Sequence, residues 1–191
     1  MSPLILASSS VWRRTALARL GLAFTCQSPE IDETAAAGEH CEQLATRLAA
    51  EKMAVIADKN SESVVIGSDQ VACHQGRPLA KPTTMDQLRQ QLLRQSGATV
   101  TFYTAVCVGR GEWRRQFCDT THVQFKRLSA AQIERYLQRE QPLGCAGGFQ
   151  VEGFGIALFE QIRSSDPTAL VGLPLLGLSA LLAEFGLDPL G

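Results

Sequence analysis

Two stretches of this chain carry residue types and spacings suited to handling a phosphorylated ligand. The first is Leu4-Ile5-Leu6-Ala7-Ser8-Ser9-Ser10-Val11-Trp12-Arg13-Arg14. An apolar run of strand length breaks into three serines, and Trp12, Ala16 and Leu20 then recur at helical spacing with Leu17 beside them, which predicts a helix over residues 11–20 capped by one of the serines. Arg13 and Arg14 fall in its first turn, where the helix already presents partial positive charge. Hydroxyls, free backbone N–H groups and two guanidinium groups at one helix start describe an anion site. The plainer reading is a capped helix with solvated arginines. The second stretch is Ser63-Val64-Val65-Ile66-Gly67-Ser68-Asp69-Gln70. A run apolar enough for a strand buried on both faces ends in polar residues, and open α/β sheets place ligands at the carboxyl ends of such strands. Asp69 is therefore a candidate general base or metal ligand; an aspartate bonded within a turn is the alternative.

Three further groups must be brought to these stretches if they form one site. The acidic run Pro29-Glu30-Ile31-Asp32-Glu33 is either a solvated loop or a source of oxygen ligands for a hard divalent cation. Lys52 falls near the middle of the apolar face of a helix predicted over residues 42–57, which also bears Leu44, Ala45, Leu48, Ala49, Val55 and Ile56. A lysine there either snorkels out or reaches an anionic cleft. His74-Gln75-Gly76-Arg77-Pro78 reads as a hairpin turn that returns Lys81 towards Asp69.

The positioning elements follow from periodicity and punctuation. A short strand is expected at residues 24–28, a helix from about 83 to 94, a strand over 98–108 and its antiparallel partner over 115–125. Ser129-Ala130-Ala131-Gln132 is a capping box opening a helix through Gln138, and a last helix spans 175–185. The glycine-punctuated runs 144–149 and 153–155, with Glu152 between them, lack the dinucleotide fingerprint and read as tight turns. Alternating strands and helices with one long antiparallel pair indicate an α/β fold with a mixed twisted sheet flanked by helices, in a single domain over residues 1–191.

Bulk properties narrow the partners. The chain has 191 residues, 45% hydrophobic and 19% charged, with a formal net charge of −1. No basic field argues for a nucleic acid polymer. The N-terminus does not read as a signal peptide. The uncharged stretch 168–183 falls short of a bilayer span and contains Gly172, Pro174 and Gly177, so no membrane association is expected. The six cysteines (Cys26, Cys41, Cys73, Cys107, Cys118, Cys145) show no metal spacing and several lie in apolar segments; all-reduced thiols in a cytoplasmic protein are expected. The histidines are isolated, against a zinc site.

Taken together, Leu-Ala-Ser-Ser-Ser-Val-Trp-Arg-Arg, Ile31-Asp32-Glu33, Ala50-Glu51-Lys52, Ile66-Gly67-Ser68-Asp69, Lys81-Pro82, Ala146-Gly147 and Val171-Gly172-Leu173-Pro174 resemble, in order and over nearly the whole chain, the Maf-type nucleotide pyrophosphatases. Val11 departs from the family's usual proline, a loss of first-turn rigidity rather than of a binding group. The resemblance implies a Maf/ITP-pyrophosphatase-like fold with a substrate cleft between two lobes. It also implies hydrolysis of a nucleoside triphosphate between the α and β phosphates, with a divalent metal (Mg²⁺ or Mn²⁺). By carry-over Asp69 is the catalytic base. Ser8, Arg13, Arg14, Lys52 and Lys81 bind the triphosphate, and Glu33, Asp32 and Asp69 hold the metal. A homodimer is known in the family, but no interface can be read from these residues.

Trp12, Gln70 and Glu152 resemble the branch acting on 7-methyl-GTP, and stand where the dTTP/UTP branch has arginine, threonine and glutamine. Physical chemistry points the same way. Methylation at N7 makes guanine cationic, and a tryptophan face attracts a flat cation. A carboxylate can accept from the guanine N1–H and exocyclic amine together. A core position for Trp12 is the plainer reading of its helical stripe. The rivals are a dTTP/UTP pyrophosphatase of the same family and a nucleotide-binding regulator of septum formation.

Overall fold

Alternation along the strands sorts the apolar side chains onto two faces of one sheet. The computed structural model describes residues 3–191. Its strands are β1 (Leu4–Ala7), β2 (Thr25–Gln27), β3 (Val64–His74), β4 (Arg77–Pro78), β5 (Thr99–Arg110), β6 (Trp113–Phe125) and β7 (Phe159–Arg163). They lie in the order β2-β1-β3-β5-β6-β7, with β4 also on β3. β1 pairs in parallel with β2 and β3, and the remaining pairs are antiparallel. The helices are α1 (Val11–Ala18), α2 (Cys41–Ala57), α3 (Met85–Gln95), α4 (Ala130–Arg139) and α5 (Leu175–Glu184). The expected mixed α/β sheet is what forms.

Ile5, Ala7, Val65, Ala105 and Cys107 face α2, against Leu44, Ala45, Leu48, Ala49 and Met53. On the other face Leu4, Leu6, Ile66, Val106 and Val108 pack under Leu17 of α1 and Leu178 and Leu182 of α5. Farther along that face, Val100, Phe102 and Val123 pack with Leu88 and Leu92 of α3 and Ile133 and Tyr136 of α4. Two apolar clusters thus share one sheet face. Between them the inward positions are Ser68, Gln70 and Thr104, and a sheet face that is polar at its middle separates two lobes.

β3 differs from the sequence expectation. It does not end at Gly67 but continues to His74, so Asp69 lies within the strand. The polar triplet is tolerated because each side chain is bonded: Ser68 to the Gly172 carbonyl, Asp69 to Lys52, and Gln70 to Thr104 and two carbonyls. What does end there is β1, whose last pair is Ala7 with Gly67. β4 pairs only with Cys73 and His74. Residues 68–71 therefore lie past the carboxyl end of β1, and the cleft opens at that gap.

Gly67 sets how closely α2 approaches β3. A Cβ there would meet the Ala49 carbonyl oxygen and stand 2.6 Å from the Met53 backbone nitrogen. With hydrogen alone at that position, α2 settles onto the strand and Lys52 comes level with Asp69.

A second correction concerns the cysteines. Cys41, the first residue of α2, is joined to Cys73 near the end of β3, with Cα atoms 6.2 Å apart. The scattered sequence positions hid this pair, because α2 packing brings both into one apolar cluster. Cys26, Cys107, Cys118 and Cys145 are free. Burial pushes the Cys107 thiol up to about 11 and the Cys118 thiol up to about 12, so both stay protonated as small apolar groups.

The helices and the long hairpin lie within a few residues of their expected bounds, and Gln75 (φ 52°) and Gly76 (φ 75°) make the turn into β4. β7 was not expected. Its sequence, Phe-Glu-Gln-Ile-Arg, carries few apolar residues, and as an edge strand it buries little more than Phe159. No helix among the described residues is long and apolar enough to cross a membrane.

Candidate active site

The first helix begins as its serines suggest. Ser10 is the N-cap of α1, its hydroxyl accepting from the Arg13 N–H at 3.3 Å. The Ser8 hydroxyl accepts from the Ser10 N–H at 3.1 Å, and Ser8 is buried. Arg13 and Arg14 then diverge. The Arg13 side chain turns inward and donates from Nε to the Gly172 carbonyl at 2.9 Å. Burial pushes its pKa below the ordinary arginine value, while Asp69 and Glu33 act to raise it. Arg14 is exposed and does not line the cleft.

Trp12 is 42% exposed, whereas Ala16 and Leu17 are buried, so it stands outside the core. It lines a cavity of ≈ 320 Å³ together with Ser10, Arg13, Gln70, Lys81 and Glu152. Glu152 accepts no hydrogen bond among the described residues. Gln70 enters from β3. Its amide nitrogen lies 3.0 Å from the Thr104 hydroxyl, 3.0 Å from the Ala169 carbonyl and 3.2 Å from the Leu170 carbonyl. With its N–H₂ so engaged, the carbonyl oxygen is the part of Gln70 left for a ligand.

On the opposite sheet face Asp69 is 3% exposed and meets α2. Lys52 Nζ lies 2.6 Å from Asp69 Oδ1 and 2.5 Å from Glu33 Oε1. Lys81 Nζ stands 3.4 Å from Glu33 Oε2. The lysine in the apolar stripe thus neither snorkels nor stands alone; its ammonium bridges two carboxylates. Desolvation works to raise the Glu33 pKa, but Lys52 and Lys81 outweigh it and hold the carboxyl below its ordinary value. Glu33, Asp69, Gln70 and Lys81 line a second cavity of ≈ 350 Å³, which shares Gln70, Lys81 and Ala146 with the first. The two cavities meet around the gap past β1. Volumes of this order suit a small-molecule ligand.

Asp32 is not in this cluster. Its Oδ1 accepts from the Thr34 N–H at 2.9 Å, and the Thr34 hydroxyl first, with that N–H second, holds the exposed carboxyl below its ordinary pKa. Among the described residues no group of three or more His, Cys, Asp or Glu side chains gathers.

The loop bearing Glu33 is tied to α2 by Arg47, which pairs with Glu39 at 2.7 Å and donates to the Thr34 carbonyl at 3.1 Å. The Arg47 hydrogen bond, helped by the Ala36 N–H, lowers Glu39 from 4.5 to about 2. A carboxyl depressed in the folded state contributes stability above its unfolded pKa and loses it as pH falls through the folded one. The urea midpoint of the wild type is expected to fall from about pH 4.5 to about pH 2, and Glu39→Gln should flatten that fall. Parallel curves for the two proteins would refute the coupling.

Ser68 and Gly172, present in the sequence motifs, and Asp166, absent from them, carry roles that the sequence reading does not assign. The Ser68 hydroxyl donates to the Gly172 carbonyl at 3.0 Å, so that one carbonyl receives both Ser68 and Arg13. Gly172 offers it from φ 103°, a conformation that suits glycine. Buried Asp166 holds the loop: Oδ1 accepts from the Thr168 N–H at 2.8 Å and Oδ2 from the Leu176 N–H at 2.7 Å. The signal available was Asp166-Pro-Thr168 ahead of a helix, a capping pattern hidden by the intervening Gly172-Leu-Pro.

Comparison with known proteins identifies the family. The family model described as Maf-like protein matches residues 3–185. A relative from Xanthomonas axonopodis pv. citri named 7-methyl-GTP pyrophosphatase is 50% identical over 186 residues, 97% of this chain and 98% of that one. A Xanthomonas oryzae pv. oryzae relative of the same name is 52% identical, again over 97% and 98% of the two chains. One from Bordetella pertussis, also so named, is 47% identical over 98% of this chain and 94% of its own. The solved structure of the Staphylococcus aureus Ham1 protein aligns over 78% of this chain and 88% of that chain, with a TM-score of 0.49 and 11% identity. Matched by that family model over residues 3–185 and by relatives about half identical over 97% of its length, the chain belongs to the Maf-like protein family.

Proposed function

We propose that the chain, acting as one catalytic domain, hydrolyses 7-methyl-GTP to 7-methyl-GMP and pyrophosphate. The observation that carries this reading is the meeting of two unlike cavities. One holds an exposed tryptophan and an unpaired carboxylate; the other holds a buried aspartate, bonded to Lys52, together with Glu33 and Lys81. Relatives of about half-identical sequence bear the name of that activity.

In the first cavity Trp12 stacks on the cationic methylated base, Glu152 accepts from its N1–H and exocyclic amine, and the Gln70 carbonyl accepts a further base N–H or a bound water. Where the two cavities meet, Arg13 of the first and Lys81, which lines both, bind phosphate oxygens together with Lys52 and the Ser8 hydroxyl, and offset charge developing on them. Arg14, outside the cavity lining, is left to the rim. The Lys52 bond is made to Asp69 Oδ1, and Oδ2 takes the proton of the attacking water. As the water oxygen bonds to the α-phosphorus, the bond from that phosphorus to the α–β bridging oxygen breaks and pyrophosphate departs.

The donor set suits a divalent cation. Mg²⁺ is held by one or two carboxylates with phosphate and water oxygens completing its shell. Glu33 and Asp69 converge on one ammonium and would be those carboxylates, whereas Asp32 is committed to its own turn. Bound there, Mg²⁺ or Mn²⁺ would neutralise phosphate charge and acidify a coordinated water. A soluble nucleotide substrate supports cytoplasmic residence; the thiols do not, because Cys41 and Cys73 are joined.

The test is pyrophosphate release from a panel of GTP, 7-methyl-GTP, dTTP and UTP with Mg²⁺ or Mn²⁺. Preference for dTTP or UTP would overturn the branch assignment. Nucleotide binding without release from any of them would favour a regulator. Within that panel Trp12→Ala should reduce kcat/KM for 7-methyl-GTP about 5- to 30-fold more than for GTP, the equivalent of a desolvated cation–π contact of ~1–2 kcal/mol. Equal losses on both would make Trp12 a general wall of the cavity.

A further inference from the structure

Glu152 is the exposed middle residue of a turn over residues 151–153, and its side chain makes no hydrogen bond or ion pair among the described residues. The turn is held from outside, by Glu140 at the end of α4. One oxygen of the Glu140 carboxylate accepts the Phe154 N–H, and the other accepts the Gly155 N–H at 3.0 Å. Both donors open a 3₁₀ segment, Phe154–Leu158, whose N-cap residue Gly153 has no side chain to cap it. Glu140 therefore supplies the missing cap at a distance of fourteen residues.

The packing around these bonds is close. A Cβ on Gly153 would run into Glu140 Oε1, and one on Gly155 would run into the Gln150 carbonyl oxygen. The Phe154 ring is clamped to the same helix end, stacked on Tyr136 with centroids 6.3 Å apart and covered by the Arg139 guanidinium at 4.2 Å. The helix is itself rigidly seated, since Ile133, Tyr136 and Leu137 are buried in the core beneath α3 and α4. An unbroken chain of contacts thus runs from that core through Glu140 to the two residues that follow the Glu152 turn.

We propose that Glu140 is a positioning residue for base recognition. Its two-oxygen grip on Phe154 and Gly155 holds the 151–153 turn so that the Glu152 carboxylate faces Trp12 across the cavity. This rests on the reading that Trp12 and Glu152 receive the base. A carboxylate accepting two N–H groups is a charge-assisted pair of bonds. In Glu140→Gln one acceptor is replaced by an N–H₂ group facing a backbone N–H, with the shape of the side chain retained.

The experiment compares wild type, Glu140→Gln and Glu152→Gln on 7-methyl-GTP and dTTP, with 7-methyl-GMP binding followed by tryptophan fluorescence and melting temperature recorded alongside. Glu140→Gln is expected to raise KM for 7-methyl-GTP and weaken 7-methyl-GMP binding about tenfold. Its kcat should stay within about twofold and its KM for dTTP should change less, because a pyrimidine does not use the same pair of acceptors. An unchanged KM for 7-methyl-GTP in Glu140→Gln, while Glu152→Gln loses selectivity, overturns this proposal and leaves the base reading standing. A uniform fall in kcat on both nucleotides with a lowered melting temperature also overturns it, by making Glu140 merely structural. Retained selectivity in Glu152→Gln overturns the base reading and the positioning role together.

Discussion

Asp69→Asn should lower turnover of 7-methyl-GTP by roughly 10²- to 10⁴-fold, the range in which a positioned general base contributes, while leaving 7-methyl-GMP affinity within a few-fold. The expectation follows from where Asp69 sits rather than from its type. It is the buried carboxylate at the gap beyond β1, it shares its cavity with Lys81 and Glu33, and one of its oxygens is held by Lys52 at 2.6 Å. An asparagine fills the same volume, and Lys52 keeps Glu33 as a partner at 2.5 Å, so the fold has no reason to fail. The residues proposed to contact the base, Trp12 and Glu152, line the first cavity and not the one that holds Asp69, which is why product binding should persist. Single-turnover measurement separates the two effects. A variant with near-wild-type single-turnover rate would remove Asp69 from proton transfer, and one that no longer binds the monophosphate would show that Asp69 organises the base pocket instead.

Both halves of that site were legible to different depths in the amino-acid order. The serine–arginine helix start could be read because capping and the helix dipole act locally, within a turn of the residues concerned. Lys52 could be singled out, since a charge in an apolar stripe is conspicuous, but its partners are seventeen positions away in Asp69 and nineteen in Glu33, and only packing at Gly67 decides that they meet. The same holds for Cys41 and Cys73. Reading β3 as ending at Gly67 failed for a related reason. Ser68, Asp69 and Gln70 look like strand breakers until long-range partners satisfy them, the Gly172 carbonyl for Ser68 being more than a hundred residues on. Arg13 and Arg14 are adjacent and alike in sequence; the carbonyl of Gly172, presented from a left-handed backbone, is what draws one inward and leaves the other in water. Asp32 and Glu33 divide likewise, because the Thr34 N–H engages one within its own turn and α2 engages the other.

Lys52→Met tests the electrostatic centre of the fold. The substitution keeps the length and apolar stem of the side chain and removes the only charge within bonding distance of Asp69 among the described residues. Breaking a buried ion pair by deleting one partner leaves the other charge desolvated, at a cost of about 3–5 kcal/mol. Glu33 is 46% exposed and can turn to water, so the lower end, about 3 kcal/mol in urea unfolding at neutral pH, is expected. The pH dependence should change as well. In the wild type Glu33 lies below its ordinary value of 4.5, chiefly because Lys52 and Lys81 overcome desolvation. A depressed carboxyl contributes stability above 4.5 that disappears as pH falls through the folded pKa. Without Lys52 the first of those attractions is gone, so the variant should lose less stability than the wild type on acidification through that window. Turnover should fall with it, since the hold on Asp69 and the proposed phosphate contact are both lost. A variant as stable as the wild type, with an unchanged acid profile, would mean that the Asp69 carboxyl is solvated and that the buried pair between α2 and β3 is not what centres the site.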